Sequence, residues 1–133
     1  MNVGKAIYNI LTTDANVSAI VGTRVFPNVV DYGVNLPAIA YTEVTNNPTN
    51  TKTGASELDQ VTVQITCFSV KYSEVVDLSE KVRRALDYKV TSFEDVIIQR
   101  AFFQDSVDLH DKEYGETGCY QRNMDFLVRV KNI

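Results

Sequence analysis

The stretch from Gln60 to Asp87, QVTVQITCFSVKYSEVVDLSEKVRRALD, decides the fold class because it places a strand directly before a helix. Apolar residues occupy alternate positions in its first half, which is the period of a strand with one buried face. In its second half they recur at three- and four-residue spacing, which predicts an amphipathic helix. The predicted core positions are Val61, Val63, Ile65 and Cys67 in the strand and Val75, Leu78, Val82, Ala85 and Leu86 in the helix.

This predicted helix also has a start signal and a charged outer face. Ser73 stands where a residue that caps the helix N-terminus is expected. Two acid-before-base pairs, Asp77–Lys81 and Glu80–Arg84, are four residues apart, a spacing that adds a few tenths of a kcal/mol to helix stability. The basic letters KVRR are therefore interpreted as a solvated helix face rather than a nucleic-acid patch.

The sequence before this stretch predicts two helices and two extended segments. Apolar residues at helical spacing open the chain. Asp14 is predicted to cap a short second helix, and Gly22 stands where a helix C-terminal glycine belongs. The segment from Arg24 to Val30 is predicted to be extended, with Pro27 at an edge or a bend. The segment from Ala38 to Val44 is predicted to be a strand.

Two further strands are predicted after the helix, which gives the order α-α-β-β-β-α-β-β. The first, Asp95 to Leu109, is apolar on both faces, which suggests a bulge or a second packed surface. The second begins at Tyr120, and the charged segment from His110 to Gly118 is predicted to be the loop between them. Runs of strands without regular alternation with helices indicate an α+β fold, a single domain over residues 1–133 with helices packed on one face of an antiparallel sheet.

A polar tract, TNNPTNTKTGASELD, separates two of the predicted strands from Thr45 to Asp59. It is longer than an ordinary hairpin loop, and long loops in compact domains tend to be functional or disordered. Its threonines are compatible with a strand. The tract is therefore either the tip of an extended β-arm or a solvated hairpin loop.

Composition indicates an ordinary globular protein. The chain has 133 residues, of which 44% are hydrophobic and 23% charged, and its net charge is −4. This charge argues against tight binding to a phosphate backbone, which needs clustered Lys and Arg. The apolar runs are far shorter than the ~20 residues that span a bilayer, so no membrane partner is expected. We expect synthesis and folding in the cytoplasm of the producing cell.

A search for catalytic or ligand-binding patterns finds little. The sequence has neither a glycine-rich phosphate loop nor an H-E-x-x-H zinc motif. Its only histidine, His110, lies among acidic residues and is interpreted as part of a solvated acidic loop, with adventitious divalent-ion binding and acid–base catalysis as alternatives. Arg24 is expected to pair with a nearby carboxylate or carbonyl, with substrate anchoring as the alternative. We therefore predict no enzyme activity, no cofactor and no metal.

The two cysteines point the same way. Cys67 and Cys119 are far apart in the sequence and have no C-x-x-C or paired histidines around them, so they do not form a zinc motif. Cys67 continues the apolar face of its strand and is expected to be a small buried side chain. A disulfide is the alternative, and a reducing compartment disfavours it.

Four pieces in this order resemble a known family. They are GTRVFPN at Gly22 to Asn28, LPAIAYTEV at Leu36 to Val44, the polar hairpin, and the strand–helix unit VTVQITCFSVKYSEVVDLSEKVRRALD. Together, over roughly Val3 to Val130, they resemble the tail-completion family of long-tailed bacteriophages and prophages, the small tail-to-head joining or tail-terminator proteins.

This resemblance implies a virion structural protein without an active site. It implies a ring, expected to be a homo-hexamer, that seats on the last ring of the tail tube and meets the head connector, with DNA only passing through. A chain of this length has an expected radius of gyration of ~14 Å, equivalent to a sphere ~36 Å across. Six such spheres in a ring leave a hole about as wide as one sphere, enough for a DNA duplex.

Contacts between subunits or with partners are expected on the polar tract, the sheet edges and the charged loop. Another neck or minor tail component would use the same surfaces. A bacterial α+β ligand-binding module, the more distant alternative, would need a concave pocket with converging polar groups. The candidate interface residues are Asn47, Thr49, Asn50, Thr51, Lys52, Thr53 and Ser56 in the tract and Asp111, Lys112, Glu113 and Tyr114 in the loop.

Overall fold

The computed structural model describes residues 3–30, 35–51, 54–94, 96–111 and 118–132. Within these residues the chain forms three helices and six strands. In chain order these are α1 (Val3–Thr13), α2 (Ala15–Val21), β1 (Val25–Pro27), β2 (Ala38–Thr51), β3 (Gly54–Ser69), α3 (Tyr72–Leu86), β4 (Thr91–Phe93), β5 (Val96–Asp111) and β6 (Cys119–Asn132).

The strands form one sheet in the order β1-β2-β3-β6-β5-β4. All neighbouring strands are antiparallel except β1 and β2, which run parallel because the connection between them returns the chain to the same end of the sheet. The predicted α+β class is confirmed. The structure adds the short strand β4, which three residues are too few to reveal by alternation.

The core lies between this sheet and the helices, which cover one of its faces. Alternate residues of β3 and β6 point into it, as the period of two requires. Burying a side chain of the size of Phe126 or Leu78 contributes about 1.5–3 kcal/mol. None of the described helices is long and apolar enough to cross a membrane. The largest fully buried side chains are Phe126, Ile7, Leu11, Ile39, Ile65, Leu78, Leu86, Ile98, Met124, Val3, Val17 and Val21.

The other face of the sheet bears the alternate residues, and we call it the helix-free face. Val63 and Phe126 are opposite partners and belong to the core, so their neighbours along the strands point the other way. Register places side chains of four strands in rows across this face. Two such rows are Thr42, Gln64, Asp125 and Asp105, and Thr45, Thr62, Leu127 and Phe102.

Helix α2 begins and ends as the sequence predicts. The carboxylate of Asp14 accepts hydrogen bonds from the backbone N–H groups of Asn16 and Val17, both at 3.0 Å. Gly22 follows the helix with φ of 59°, a left-handed conformation that costs glycine least. The interpretation of both residues as caps is confirmed.

Helix α3 starts differently from the prediction. Its N-cap is Lys71, which makes no side-chain capping bond, and Ser73 already lies inside the helix, so the predicted Ser73 cap is wrong. Ser69, at the end of β3, orders this turn instead. Its hydroxyl accepts from the Lys71 N–H at 3.2 Å and donates to the Glu74 carboxylate at 2.6 Å.

The end of α3 is fixed by strand β5 rather than by a glycine. Tyr88 has φ of 60°, a conformation that L-residues rarely adopt. Its backbone N–H donates to the Ala101 carbonyl at 2.7 Å, and the carboxylate of Asp87 accepts from the Phe103 N–H at 3.0 Å. The ring of Tyr88 also meets Phe102 edge-on, with centroids 5.7 Å apart. These contacts hold Tyr88 in a position where glycine is common.

Strand β5 is longer than predicted and bulged. Its register against β6 shifts between Ile98 and Arg100 and again between Phe103 and Asp105, so the predicted bulge is confirmed. The strand continues to Asp111, and His110 therefore lies in it and not in a loop. The backbone hydrogen-bonding partner supplied by β6 extends the strand beyond its apolar segment.

Candidate assembly interface

The polar tract between β2 and β3 forms paired strands. In the hairpin, Asn47 lies opposite Gln60, the register shifts between Pro48 and Asn50, and pairing resumes up to Thr51, opposite Gly54. The backbone is therefore that of a β-arm, as one of the two interpretations predicted. Of the candidate residues, Asn47, Thr49, Asn50 and Thr51 lie on β2 and Ser56 on β3, whereas Lys52 and Thr53 lie outside the described residues.

Part of this arm extends past the third strand. Among the described residues, the pairing of β3 with β6 ends at Leu58, opposite Lys131. Towards the tip, Gly54 and Ala55 of β3 pair with β2 alone, so the end of the arm is a two-stranded ribbon over about 7 Å. Isolated two-stranded ribbons are marginally stable in water. A ribbon of this kind is stabilised by packing on another surface.

The β5–β6 connection lies at the opposite end of the sheet. Asp111 pairs with Cys119 at the end of β5, next to the Ser69–Tyr120 pair that ends β3. Strand β3 runs from the arm to this end over a length of roughly 50 Å. The remaining loop candidates, Lys112, Glu113 and Tyr114, lie outside the described residues. The two predicted interface regions are therefore at opposite ends of one subunit.

A polar cluster at this second end joins α3 to the β5–β6 hairpin. Arg122 binds Asp108 at two points, with Nε–Oδ1 of 2.7 Å and Nη2–Oδ2 of 3.2 Å. The same guanidinium donates to Ser79 Oγ at 3.0 Å and to Tyr72 Oη at 3.2 Å, and the Tyr72 hydroxyl donates to Asp108 at 2.7 Å. We call these four residues the Arg122 cluster.

Charge and hydrogen bonding perturb the cluster's pKa values. The hydrogen bonds from Arg122 and then Tyr72 lower the pKa of the Asp108 carboxyl below its ordinary 3.8, against a smaller opposing effect of burial. The hydrogen bond to Asp108 likewise raises the pKa of Arg122. Both groups are therefore charged at neutral pH, and the cluster is a saturated structural unit. Sequence spacing did not indicate it, because its members come from three separate elements.

Among the described residues, His110 packs on an aromatic side chain. Its ring lies against Tyr120, with centroids 4.6 Å apart, and Tyr120 in turn meets Tyr72 edge-on at 5.6 Å. The nearby carboxylate of Asp108 is already bound by Arg122. Within the described part of the chain, no group of three or more His, Cys, Asp or Glu residues could hold a metal ion.

The other candidates also have structural roles. Arg24 donates from Nε to the Pro37 carbonyl and from Nη2 to the Ile20 carbonyl, both at 3.0 Å, as the carbonyl-pairing interpretation predicted. Cys67 and Cys119 are buried thiols that are not joined to each other, so the disulfide alternative is wrong. Burial raises the pKa of the Cys67 thiol to about 12, although the charge of Arg122 opposes this slightly.

Two shallow grooves run along α3. The larger, of about 450 Å³, is lined by charged side chains and Tyr88, and the smaller, of about 150 Å³, reaches Ser79 and Arg122. In the smaller groove these polar groups already bond to each other. Among the described residues, no buried side-chain nitrogen or oxygen lacks a hydrogen-bond partner. The polar groups of the smaller groove are therefore already paired within the subunit.

Strand edges are the third predicted contact region, and the structure leaves two of them open over part of their length. Strand β1 covers β2 only from Ile39 to Tyr41, and β4 covers β5 only from Val96 to Ile98. The end of α3 binds β5 as far as Phe103. Among the described residues, β2 from Thr42 and β5 from Gln104 have no further strand beside them. Such edges are templates for pairing with another chain.

Comparison with known proteins identifies the family of this fold. A solved structure described as the virion of a native gene transfer agent particle contains a similar chain, with a TM-score of 0.76 and 17% identity. The match covers 95% of this chain and 92% of that one. No curated protein sequence matches. The family model described as tail completion protein gp17 matches residues 5–131, and the chain therefore belongs to this family of phage tail structural proteins.

Proposed function

We propose that this protein closes the end of a phage tail tube as a ring of identical subunits and forms the joining surface for the head connector. Family membership supports a place in the tail, and the similar chain in a gene transfer agent virion supports a place in a particle. The observation that carries the ring is the two-stranded part of the β2–β3 arm. It projects beyond the sheet and has no described partner within its own subunit.

The arrangement of the contact regions supports a closed ring rather than a two-fold dimer for this assembly. The arm and the Asp111 end lie at opposite ends of the subunit, and the open edges belong to different sides of the sheet. Contacts between unlike surfaces of neighbouring subunits generate rings when the rotation closes. An arm that lies on the next subunit would repeat around such a ring.

The charge of the protein also agrees with a DNA passage. The net charge is −4, so the chain as a whole is not basic. A basic lining would bind the phosphates and retard DNA, whereas a neutral or acidic one lets it slide. In this proposal DNA is cargo that passes through and is not a ligand.

The test removes the arm. A variant that lacks Thr49 to Ala55 is expected to fold, because the core lies between the helices and the middle of the sheet. It is expected to remain monomeric in native mass spectrometry and to yield no rings on isolated tail tubes by electron microscopy. Tails assembled with it are expected to lack attached heads.

The matched control keeps the whole arm and carries Arg84→Ala, a substitution at an exposed position of α3. This control is expected to assemble, since the ribbon that contacts the neighbour is intact. Full rings from the shortened variant, with normal tails joined to filled heads, would contradict the proposal. The proposal would also be contradicted if neither the wild-type protein nor the control formed rings on tail tubes.

A further inference from the structure

Two pairs of like charges face each other across strands β5 and β6. Arg100 lies directly opposite Arg129, and Asp105 directly opposite Asp125. All four are on the helix-free face, because Ala101 and Phe126 beside them belong to the core. Like charges in directly opposite positions destabilise a sheet. Their presence in two neighbouring places therefore calls for a partner that compensates both.

The row between the two pairs is apolar. Phe102 lies opposite Leu127, and both side chains are partly exposed. Along the strands the order is thus an arginine pair, an apolar pair and an aspartate pair, with the charged rows about 14 Å apart. Arg100 and Asp105 are an odd number of residues apart and share a face only because of the bulge between Phe103 and Asp105.

The structure offers these charges little compensation within the subunit. Among the described residues, Arg100 makes no ion pair, and the guanidinium of Arg129 lies over the Phe102 ring at 5.5 Å. Gln64 donates one hydrogen bond of 3.3 Å to Asp125. Burial, and then the neighbouring Asp105, raise the pKa of the Asp125 carboxyl despite that bond. Among the described residues, no cation forms an ion pair with Asp105 or Asp125.

We infer that this part of the helix-free face docks on a second copy of the same chain about a two-fold axis. The axis lies in the plane between the two facing sheets. It runs perpendicular to the strands and along the Phe102–Leu127 row. Rotation about it reverses the order of the three rows. It places the arginine pair of each copy on the aspartate pair of the other and packs the two apolar rows together. The complementary charges commit the surface to this occupant, because one sequence supplies both signs at equal distance from the axis.

This contact is separate from the ring contact of the proposed function. It is isologous, uses a sheet face, and needs neither the arm nor the strand edges. It would join two free subunits or two rings face to face. Variants on this face therefore leave the arm-dependent ring intact, and the two hypotheses fail separately.

The experiment uses charge reversal in the full chain with a cysteine on the axis. In a Phe102→Cys background, a short bis-maleimide cross-linker is expected to join two copies through this residue. The residue lies opposite its own counterpart at a sheet separation of about 10 Å, which is too far for a direct disulfide. Asp105→Lys with Asp125→Lys, or Arg100→Glu with Arg129→Glu, is expected to reduce the cross-linking yield roughly tenfold or more. An equal mixture of the two reversed chains is expected to restore it as a heterodimer.

An Ala19→Cys chain is the matched control, because Ala19 is exposed on α2 and far from the proposed axis. It is expected to remain unlinked under the same conditions, and circular dichroism verifies that the reversed chains are folded. Absence of a Phe102→Cys link, a link that survives either reversal unchanged, or a mixture that links no better than its components would overturn the inference.

Discussion

Arg122 holds Asp108 through two hydrogen bonds, from Nε at 2.7 Å and from Nη2 at 3.2 Å, and so ties β6 to the exposed edge strand β5. The same guanidinium reaches Ser79 on α3. The side chain of Arg122 is 20% exposed and that of Asp108 41% exposed, so water screens the pair only in part. The Arg122 cluster thus fixes the end of the sheet that bears the β5–β6 connection to the helix layer.

Replacement of Asp108 by Asn is expected to lower the free energy of unfolding by about 0.5–1 kcal/mol, a value discounted for the exposure of the carboxylate. Because the folded-state pKa of Asp108 lies below its ordinary 3.8, its contribution is complete above that value. It is lost as the pH falls through the lowered pKa. Urea unfolding at neutral and acidic pH measures this, and the difference between the two chains is expected to shrink in acid.

A matched change at an exposed carboxylate of the same protein, Asp77→Asn, breaks only the surface pair with Lys81 at 2.8 Å. It is expected to cost less than Asp108→Asn. Equal costs for the two variants would mean that the Arg122 cluster adds nothing beyond a surface ion pair.

Replacement of Asp125 by Asn is expected to raise the free energy of unfolding, in contrast to Asp108→Asn. The raised folded-state pKa of Asp125 means that its protonated form is favoured in the folded chain, so stability falls as the pH rises through that pKa. Asparagine removes the repulsion from Asp105 and is expected to add roughly 0.5 kcal/mol at neutral pH. Unfolding measured on monomeric protein tests this, and a gain that persists unchanged in acid would exclude charge repulsion as its cause.

Replacement of Asp14 by Ala is expected to cost about 0.5–2 kcal/mol, because it leaves two backbone N–H groups at the start of α2 without their acceptor. Helix α2 carries the buried residues Val17 and Val21 into the core, so fraying of the helix also weakens core packing. Thermal unfolding measures the effect. Asp14→Asn keeps an acceptor oxygen and serves as the control, and an equal loss in both variants would rule out capping as the reason.

Alkylation of the cysteines is expected to report unfolding. Cys67 is fully buried and its pKa is raised to about 12, so the reactive thiolate is scarce at pH 8 in the folded protein. Cys119 is also buried. Mass spectrometry after treatment with iodoacetamide is expected to find both unmodified until denaturant is added. Rapid labelling of Cys67 in the native protein would show that β3 opens locally.

Much of the fold follows from local patterns in the sequence. The alternation of Val61, Val63 and Ile65 requires a half-buried strand, and the spacing from Val75 to Leu86 requires a helix against it. The structure contains both. The polar tract was ambiguous for a physical reason. Its residues suit a strand or a loop equally, and only the pairing of β2 with β3 decided between them.

The helix start was missed for a similar reason. Ser69 and Ser73 both lie near the beginning of α3. The position at which β3 ends determines which of the two hydroxyls can bond to the backbone at the start of the helix. Because β3 ends at Ser69, its hydroxyl lies beside the Lys71 N–H and the Glu74 carboxylate. Local sequence preference does not contain that information.

The sequence by itself determined the α+β class, the buried faces and the resemblance to tail-completion proteins, because these depend on periodicity and order along the chain. Only the tertiary structure decided which charges meet. The bulges in β5 set whether Arg100 and Asp105 share a face, and the register with β6 brings them opposite Arg129 and Asp125. A shift of one residue sends a side chain to the other side of a sheet, so such surfaces depend on strand pairing.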